Sequence, residues 1–75
     1  MSAPLAYTIR FLRADGSFHR DMQRQCCNDQ AALQDAVNAL DEACAAIQIR
    51  RDGQVVWQGL KGDAITEVAA TLSAK

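Results

Sequence analysis

Two segments of this chain share one layout, in which a short run of alternating apolar and polar residues is followed by an Asp-Gly pair and a second such run. They are Ile9–His19 and Ile47–Trp57. An Asp-Gly pair between alternating runs is a strong hairpin signal, because glycine adopts the positive φ that tight hairpin turns need. The sequence therefore predicts two β-hairpins, and with them an antiparallel sheet.

A helix is predicted between the two hairpins. Asn28 or Asp29 is expected as its N-cap, and the acidic first turn suits the positive end of the helix dipole. Apolar residues then recur at the helical period along a single stripe, which indicates one core-facing side. These residues are Leu33, Ala36, Val37, Leu40, Ala43, Cys44 and Ile47. We expect the helix to end near Ala45, where β-branched alternation begins.

A second, shorter amphipathic helix is predicted after the second hairpin. Asp63 is a suitable N-cap. The apolar stripe that follows consists of Ile65, Val68, Ala69 and Leu72. A helix this short is marginal alone, so it is expected to pack on its own sheet or on a neighbouring chain.

These elements predict an α+β fold with a four-stranded antiparallel sheet. A helix crossing from strand 2 to strand 3 lets strand 3 pair beside strand 1, which gives the order 2-1-3-4 with the main helix on one face. We expect residues 1–5 to be a flexible leader and residues 6–75 to form a single ββαββα domain. The expected core residues are Leu33, Val37, Leu40, Ile9, Phe11, Ile47 and Ile49.

The register of the first hairpin has two alternatives. A two-residue Asp15-Gly16 turn places Arg10 opposite Asp21, whereas a three-residue loop places Arg10 opposite Arg20. A cross-strand pair of opposite charges is favourable and a like-charge pair is not, so the first alternative is preferred. Alternation in the second strand puts two large apolar residues, Phe18 and Met22, on one face together with arginines, which is typical of a strand at a sheet edge.

A three-residue loop is predicted for the second hairpin. With Gly53 in the left-handed conformation, this loop pairs Ile49 with Val55 and Ile47 with Trp57. Four large apolar residues then share one face, which a two-residue turn would not achieve.

The predicted core is thin for a chain of 75 residues. Apolar residues make up 49% of the sequence, but fourteen residues are alanine and three are cysteine. Domains of this size bury only about 60% of their unfolded surface. Because a second copy can complete the burial, we expect a homodimer. The candidate contact residues are Leu12, Val56 and Leu60 on the open sheet face and Ile65, Val68 and Leu72 on the second helix.

An alternative function is nucleic-acid binding through an arginine-bearing sheet face formed by Arg10, Arg50 and Arg51. The formal net charge of −1 gives no overall attraction to phosphate. We therefore expect no nucleic-acid partner. No apolar run is long enough to cross a membrane, so no membrane association is expected either.

The cysteines suggest a further alternative, a thiol-based sensor. Cys26 and Cys27 directly precede the predicted helix, and a helix N-terminus lowers a thiol pKa. The preferred interpretation is burial as small hydrophobic residues. An odd number of cysteines without an export signal favours a reducing cytoplasm. Together with Cys44 and His19 they are four possible metal ligands, but no two of them have the Cys-x2-4-Cys type of spacing that structural zinc sites use, so no metal site is expected.

The order of strand, Asp-Gly and strand, then an alanine-rich acidic helix, then strand, Asp-Gly and strand occupies Ile9–His19, Ala31–Ala46 and Ile47–Trp57. This order resembles a group of short proteobacterial proteins of unknown function. The resemblance implies the layout and a bacterial source, but no activity, cofactor or site residue. No catalytic signature is present, so we interpret the chain as a non-enzymatic protein-interaction or assembly module.

Overall fold

The computed structural model describes residues 4–73, and the side chains of residues 4–70. The elements are β1 (Leu5–Leu12), β2 (Phe18–Cys26), α1 (Asp29–Asn38), β3 (Ala46–Arg51), β4 (Gln54–Leu60) and α2 (Lys61–Ser73). The strands form one antiparallel sheet in the order β2-β1-β3-β4. The predicted α+β class, strand order and ββαββα layout are thus confirmed. Leu5, expected in the leader, instead belongs to β1, and residues 1–3 of that leader lie outside the described part.

Both helices pack on one face of the sheet, which we call the helix face. The buried core consists of Tyr7, Ile9, Phe11, Cys26, Ala32, Leu33, Ala36, Cys44, Ile47, Ile49, Ala64 and Val68. Five of the seven predicted core residues are among them, whereas Val37 and Leu40 are only partly buried against this cluster. We call the opposite face of the sheet, which carries Thr8, Arg10 and Leu12 of β1, the open face.

The first hairpin combines features of both predicted alternatives. Its loop has three residues, because the Arg13 N–H donates to the Ser17 carbonyl at 2.9 Å and Gly16 has a φ of 86°. Arg10 nevertheless lies opposite Asp21, as the charge argument predicts.

A β-bulge at His19 reconciles the loop with this register. The ladder changes between the pairs Leu12–Phe18 and Phe11–Arg20, so one extra residue stands in β2. A bulge inserts one residue and reverses the alternation beyond it. Phe18 is therefore on the open face, and the prediction that it shares a face with Met22 is wrong.

The predicted register of the second hairpin is also wrong. Asp52 and Gly53 have φ values of 55° and 79°, which is the geometry of a two-residue turn with both central residues left-handed. The observed pairs are Arg51–Gln54, Arg50–Val55 and Ile49–Trp57, with a bulge at Val56 between the last two. Aspartate tolerates the left-handed region, so the tighter turn is available, and the bulge returns Trp57 to the helix face.

Helix α1 ends at Asn38, earlier than the predicted end near Ala45. The Asp41 side chain accepts two backbone N–H groups of the following turn, at 3.1 and 3.0 Å. Such local bonds compete with helix continuation. Leu40 therefore lies beyond the helix, which explains its partial burial. Among the described residues, neither helix is long and apolar enough to span a bilayer.

Candidate functional site

An apolar row crosses all four strands at one end of the open face. From β2 to β4 it consists of Phe18, Leu12, Ala46 and Leu60, each paired with the next. Phe18 is 55% exposed and Leu60 is 61% exposed, while the two residues between them are half-buried. The Arg10 guanidinium lies 5.7 Å from the Phe18 ring centroid. A contiguous apolar row with exposed ends is typical of a surface that contacts a partner.

Polar side chains that bond to one another occupy the next rows of the open face. Arg10 Nε donates to Asp21 Oδ1 at 3.2 Å on the β2 side. On the β4 side, Gln48 Nε2 donates to Gln58 Oε1 at 3.1 Å, and Arg50 Nε donates to Gln48 Oε1 at 2.8 Å. The open face therefore joins an apolar end to a polar region of low net charge.

The six predicted contact residues fall in different places. Leu12 and Leu60 lie in the apolar row. Val56 does not lie on the open face as predicted, because the two-residue turn shifts the register of β4 by one residue; Val56 packs partly buried against the core instead.

The contact residues predicted on α2 are also separated. Ile65 is 47% exposed, but Val68 is only 6% exposed and belongs to the core together with Ala64. Val68 packs within its own chain and is not a surface residue, contrary to the sequence interpretation. Leu72 lies outside the residues whose side chains are described.

The three arginines of the nucleic-acid alternative do not share one surface. Arg10 and Arg50 lie on the open face, whereas Arg51 stands opposite Tyr7 on the helix face. Arg51 Nη1 donates to Asp29 Oδ1 at 2.9 Å. Since two of the three guanidiniums are paired with carboxylates, the arrangement does not favour a phosphate-binding patch.

Asp29 ties the start of α1 to the sheet, a role that the sequence interpretation missed. Asn28 is the N-cap, and Asp29 Oδ1 accepts the Tyr7 hydroxyl at 2.6 Å as well as Arg51. Burial and the neighbouring Asp29 carboxylate raise the pKa of the Tyr7 phenol above its usual value. The available signal was a tyrosine on the core side of a strand, because a buried hydroxyl needs a partner.

The two adjacent cysteines differ in environment. Cys26 ends β2, is buried, and donates to Asp35 Oδ2 at 3.3 Å. Burial and the bond to Asp35 raise the pKa of the Cys26 thiol to about 11. This shift is opposite to the one expected for a helix N-terminus. Cys27 is exposed.

A polar cluster surrounds the bulge in β2. His19 Nε2 lies 3.1 Å from Asp41 Oδ2, and Arg20 Nε donates to the same oxygen at 3.4 Å. The Arg20 guanidinium also donates to the Ala39 carbonyl and lies 4.4 Å from the Phe11 ring centroid. The bond from His19 is the main reason why the pKa of Asp41 is lowered. These bonds connect the bulge in β2 to the turn that follows α1.

Within the described residues, no group of three or more His, Cys, Asp or Glu side chains is arranged to hold a metal ion. In particular, the structure does not gather His19 with the cysteines. No family model matches the chain, and no curated protein or solved structure matches it either.

Proposed function

We propose that the protein is a non-enzymatic interaction and assembly module that forms a homodimer through the open face of its sheet. The apolar row is the observation that carries the proposal. Its two ends, Phe18 and Leu60, are the most exposed large apolar side chains among the described residues. A second copy would remove both from water in one contact, and burial of apolar area is the main favourable term in association.

The row is compatible with a symmetric, face-to-face contact. A two-fold axis parallel to the strands and midway between β1 and β3 places β2 over the partner's β4, and β1 over the partner's β3. In that arrangement Phe18 lies over the Leu60 position of the second copy, and Leu12 lies over the Ala46 position. Large residues then meet either each other or a small one, as interdigitation of two packed sheets requires.

The same axis also suits the polar rows. It places Arg10 over the Gln48 position of the second copy, Asp21 over the Gln58 position, and Thr8 over the Arg50 position. Each charged group meets an uncharged amide or hydroxyl, and no two like charges face one another. Since like-charge contacts would oppose association, this distribution supports a second copy of the chain as the partner.

We also infer a cytoplasmic location. All three cysteines are free thiols, and two of them are buried. Free buried thiols are typical of proteins that function in reducing compartments.

The test replaces the two ends of the row in a Phe18→Lys, Leu60→Lys variant. We expect the native chain to sediment at twice its 8.2 kDa, and the variant at the mass of one chain. Both positions are exposed, so the substitutions leave the core intact, and circular dichroism checks the fold. The matched control is Ile65→Lys, which changes an exposed apolar residue on the other side of the molecule.

A concentration-independent native monomer would overturn the proposal. So would a lysine variant that dimerises as strongly as the native chain. Dissociation caused by Ile65→Lys alone would place the contact on α2 and contradict the role of the open face.

A further inference from the structure

A depression of about 370 Å³ lies between β1 and β2, toward the end of the sheet opposite the apolar row. Two of its six lining residues, Tyr7 and Arg24, have side chains that alternate to the helix face. The other four alternate onto the open face, and we call the depression that they form the β1–β2 hollow. They are Ala6, Thr8, Gln23 and Gln25.

The side chains of the β1–β2 hollow are uncharged and carry hydrogen-bond acceptors. Ala6 contributes only a methyl group, and Thr8 is the register partner of Gln23. Among the described residues, no group bonds to the Thr8 hydroxyl or to the side-chain amides of Gln23 and Gln25. The hollow therefore offers one hydroxyl oxygen and two amide oxygens to a donor from outside the chain.

Arg50 and Val55 stand on the other half of the open face, at the level of the hollow. They are register partners on β3 and β4, and Arg50 also pairs with Thr8 of β1. Val55 is 47% exposed. Arg50 Nε donates to Gln48, and its two terminal nitrogens have no bonded partner among the described residues. This half of the face therefore carries donors, and the hollow carries acceptors.

We propose that Arg50 of the second copy enters the β1–β2 hollow and donates to its acceptors, an inference that rests on the proposed homodimer. The two-fold axis exchanges β1 with β3 and β2 with β4, so the pair Thr8–Gln23 lies over the pair Arg50–Val55 of the second copy. The two Arg50 side chains lie on opposite sides of the axis, and entry into the hollows directs them away from each other. Because a guanidinium is a rigid fork of donors, this contact fixes which strands lie over one another.

Two charge variants, Gln23→Lys and Arg50→Glu, test the contact. The first places a cation against Arg50 of the other copy, and the second removes the donors that enter the hollow. Since each contact occurs twice in a symmetric dimer, we expect either variant alone to dimerise about five- to tenfold more weakly than the native chain. A mixture of the two forms a heterodimer with one native contact and one contact between opposite charges. Its affinity should recover to within about twofold of the native value.

Sedimentation equilibrium of each variant and of the mixture measures these affinities, and circular dichroism checks the fold. The matched control is Arg24→Glu, which reverses an exposed charge beside Gln23 on the helix-face side of β2 and should dimerise like the native chain. A mixture that associates no more tightly than either variant, or equal weakening by Arg24→Glu, would overturn the proposal.

The two proposals fail in distinguishable ways. If Phe18→Lys, Leu60→Lys separates the native dimer but the mixture shows no recovery, the open-face dimer stands and the Arg50 contact is wrong. A native chain that stays monomeric would overturn both.

Discussion

At the scale of single residues, the adjacent Cys26 and Cys27 differ in burial and in hydrogen bonding, and therefore in the expected reactivity of their thiols. In the sequence they are equivalent thiols before a helix. In the structure Cys26 closes the core beside Asp35, while Cys27 is in the turn and exposed. Which of two neighbours points inward depends on the register of β2, and that register depends on a bulge eight residues away from Cys27. Sequence spacing alone does not contain this information.

We predict that only Cys27 reacts rapidly with a thiol reagent at pH 8. The thiolate is the reactive form, and Cys26 is both buried and shifted to a pKa of about 11. Reaction is followed with a chromogenic disulfide, with and without urea. Cys27→Ser should remove the fast phase and Cys26→Ser should leave it. A fast phase that survives Cys27→Ser would contradict the assignment.

The same shift has a consequence for stability at high pH. The thiol of the unfolded chain ionises near the ordinary value of 9.0, below the value for the folded chain. Above that pH the unfolded state binds fewer protons than the folded state, so stability falls as pH rises from about 9 to 11. This decline should be smaller in Cys26→Ser, as measured by urea unfolding across that range.

At the scale of elements, the sequence predicts which strands and helices exist better than it predicts the residues at which they end. Both hairpins follow from their Asp-Gly pairs, and the start of α1 follows from Asn28. The bulges and the early end of α1 do not follow, because they involve contacts between distant segments. Asp41 shows this most clearly, since one side chain terminates the helical run and also bonds to His19 and Arg20 of β2.

We predict that Asp41→Asn lowers the melting temperature at pH 7 and flattens the loss of stability in acid. The pKa of Asp41 is held below its ordinary value of 3.8, chiefly by the bond from His19. Its contribution is therefore present above the unfolded pKa and is lost as pH falls through the lower folded value. Thermal melts between pH 7 and about pH 3 measure the effect. Glu42→Gln is the control, and identical acid profiles for Asp41→Asn and the native chain would contradict this prediction.

At the scale of the whole molecule, one face of the sheet is covered by the helices and the other carries exposed side chains, and the sequence predicts only part of this division. Strand alternation correctly assigns Leu12 to the open face and Ile9 to the core. It assigns Phe18 to the wrong face, because the bulge at His19 reverses the alternation in β2. The apolar stripe of α2 is likewise assigned to an external contact, whereas Val68 of that stripe is buried in the core with Ala64. This burial depends on contacts of α2 with α1, β3 and β4, which the spacing of the stripe does not specify.

We predict that Val68→Ala destabilises the folded chain by about 2 kcal/mol, since it removes two buried methyl groups and leaves a cavity. Ile65→Ala, on the same helix but exposed, should change stability by less than about 0.5 kcal/mol. Urea unfolding of both variants measures the difference. Equal effects at the two positions would show that α2 does not pack on the sheet as described.

The positions of the two bulges have a consequence for how this chain associates. Both interrupt strands at the edges of the sheet, β2 and β4, where unpaired backbone groups would otherwise be available to another chain. An interrupted edge is a poor template for added strands, and open-ended growth of a sheet is the route to fibrils. Because a bulge interrupts each edge strand, we expect this chain not to form amyloid fibrils at high protein concentration, although its core contains few large residues. The homodimer proposed above would use the open face instead, where a two-fold contact closes on itself after two copies.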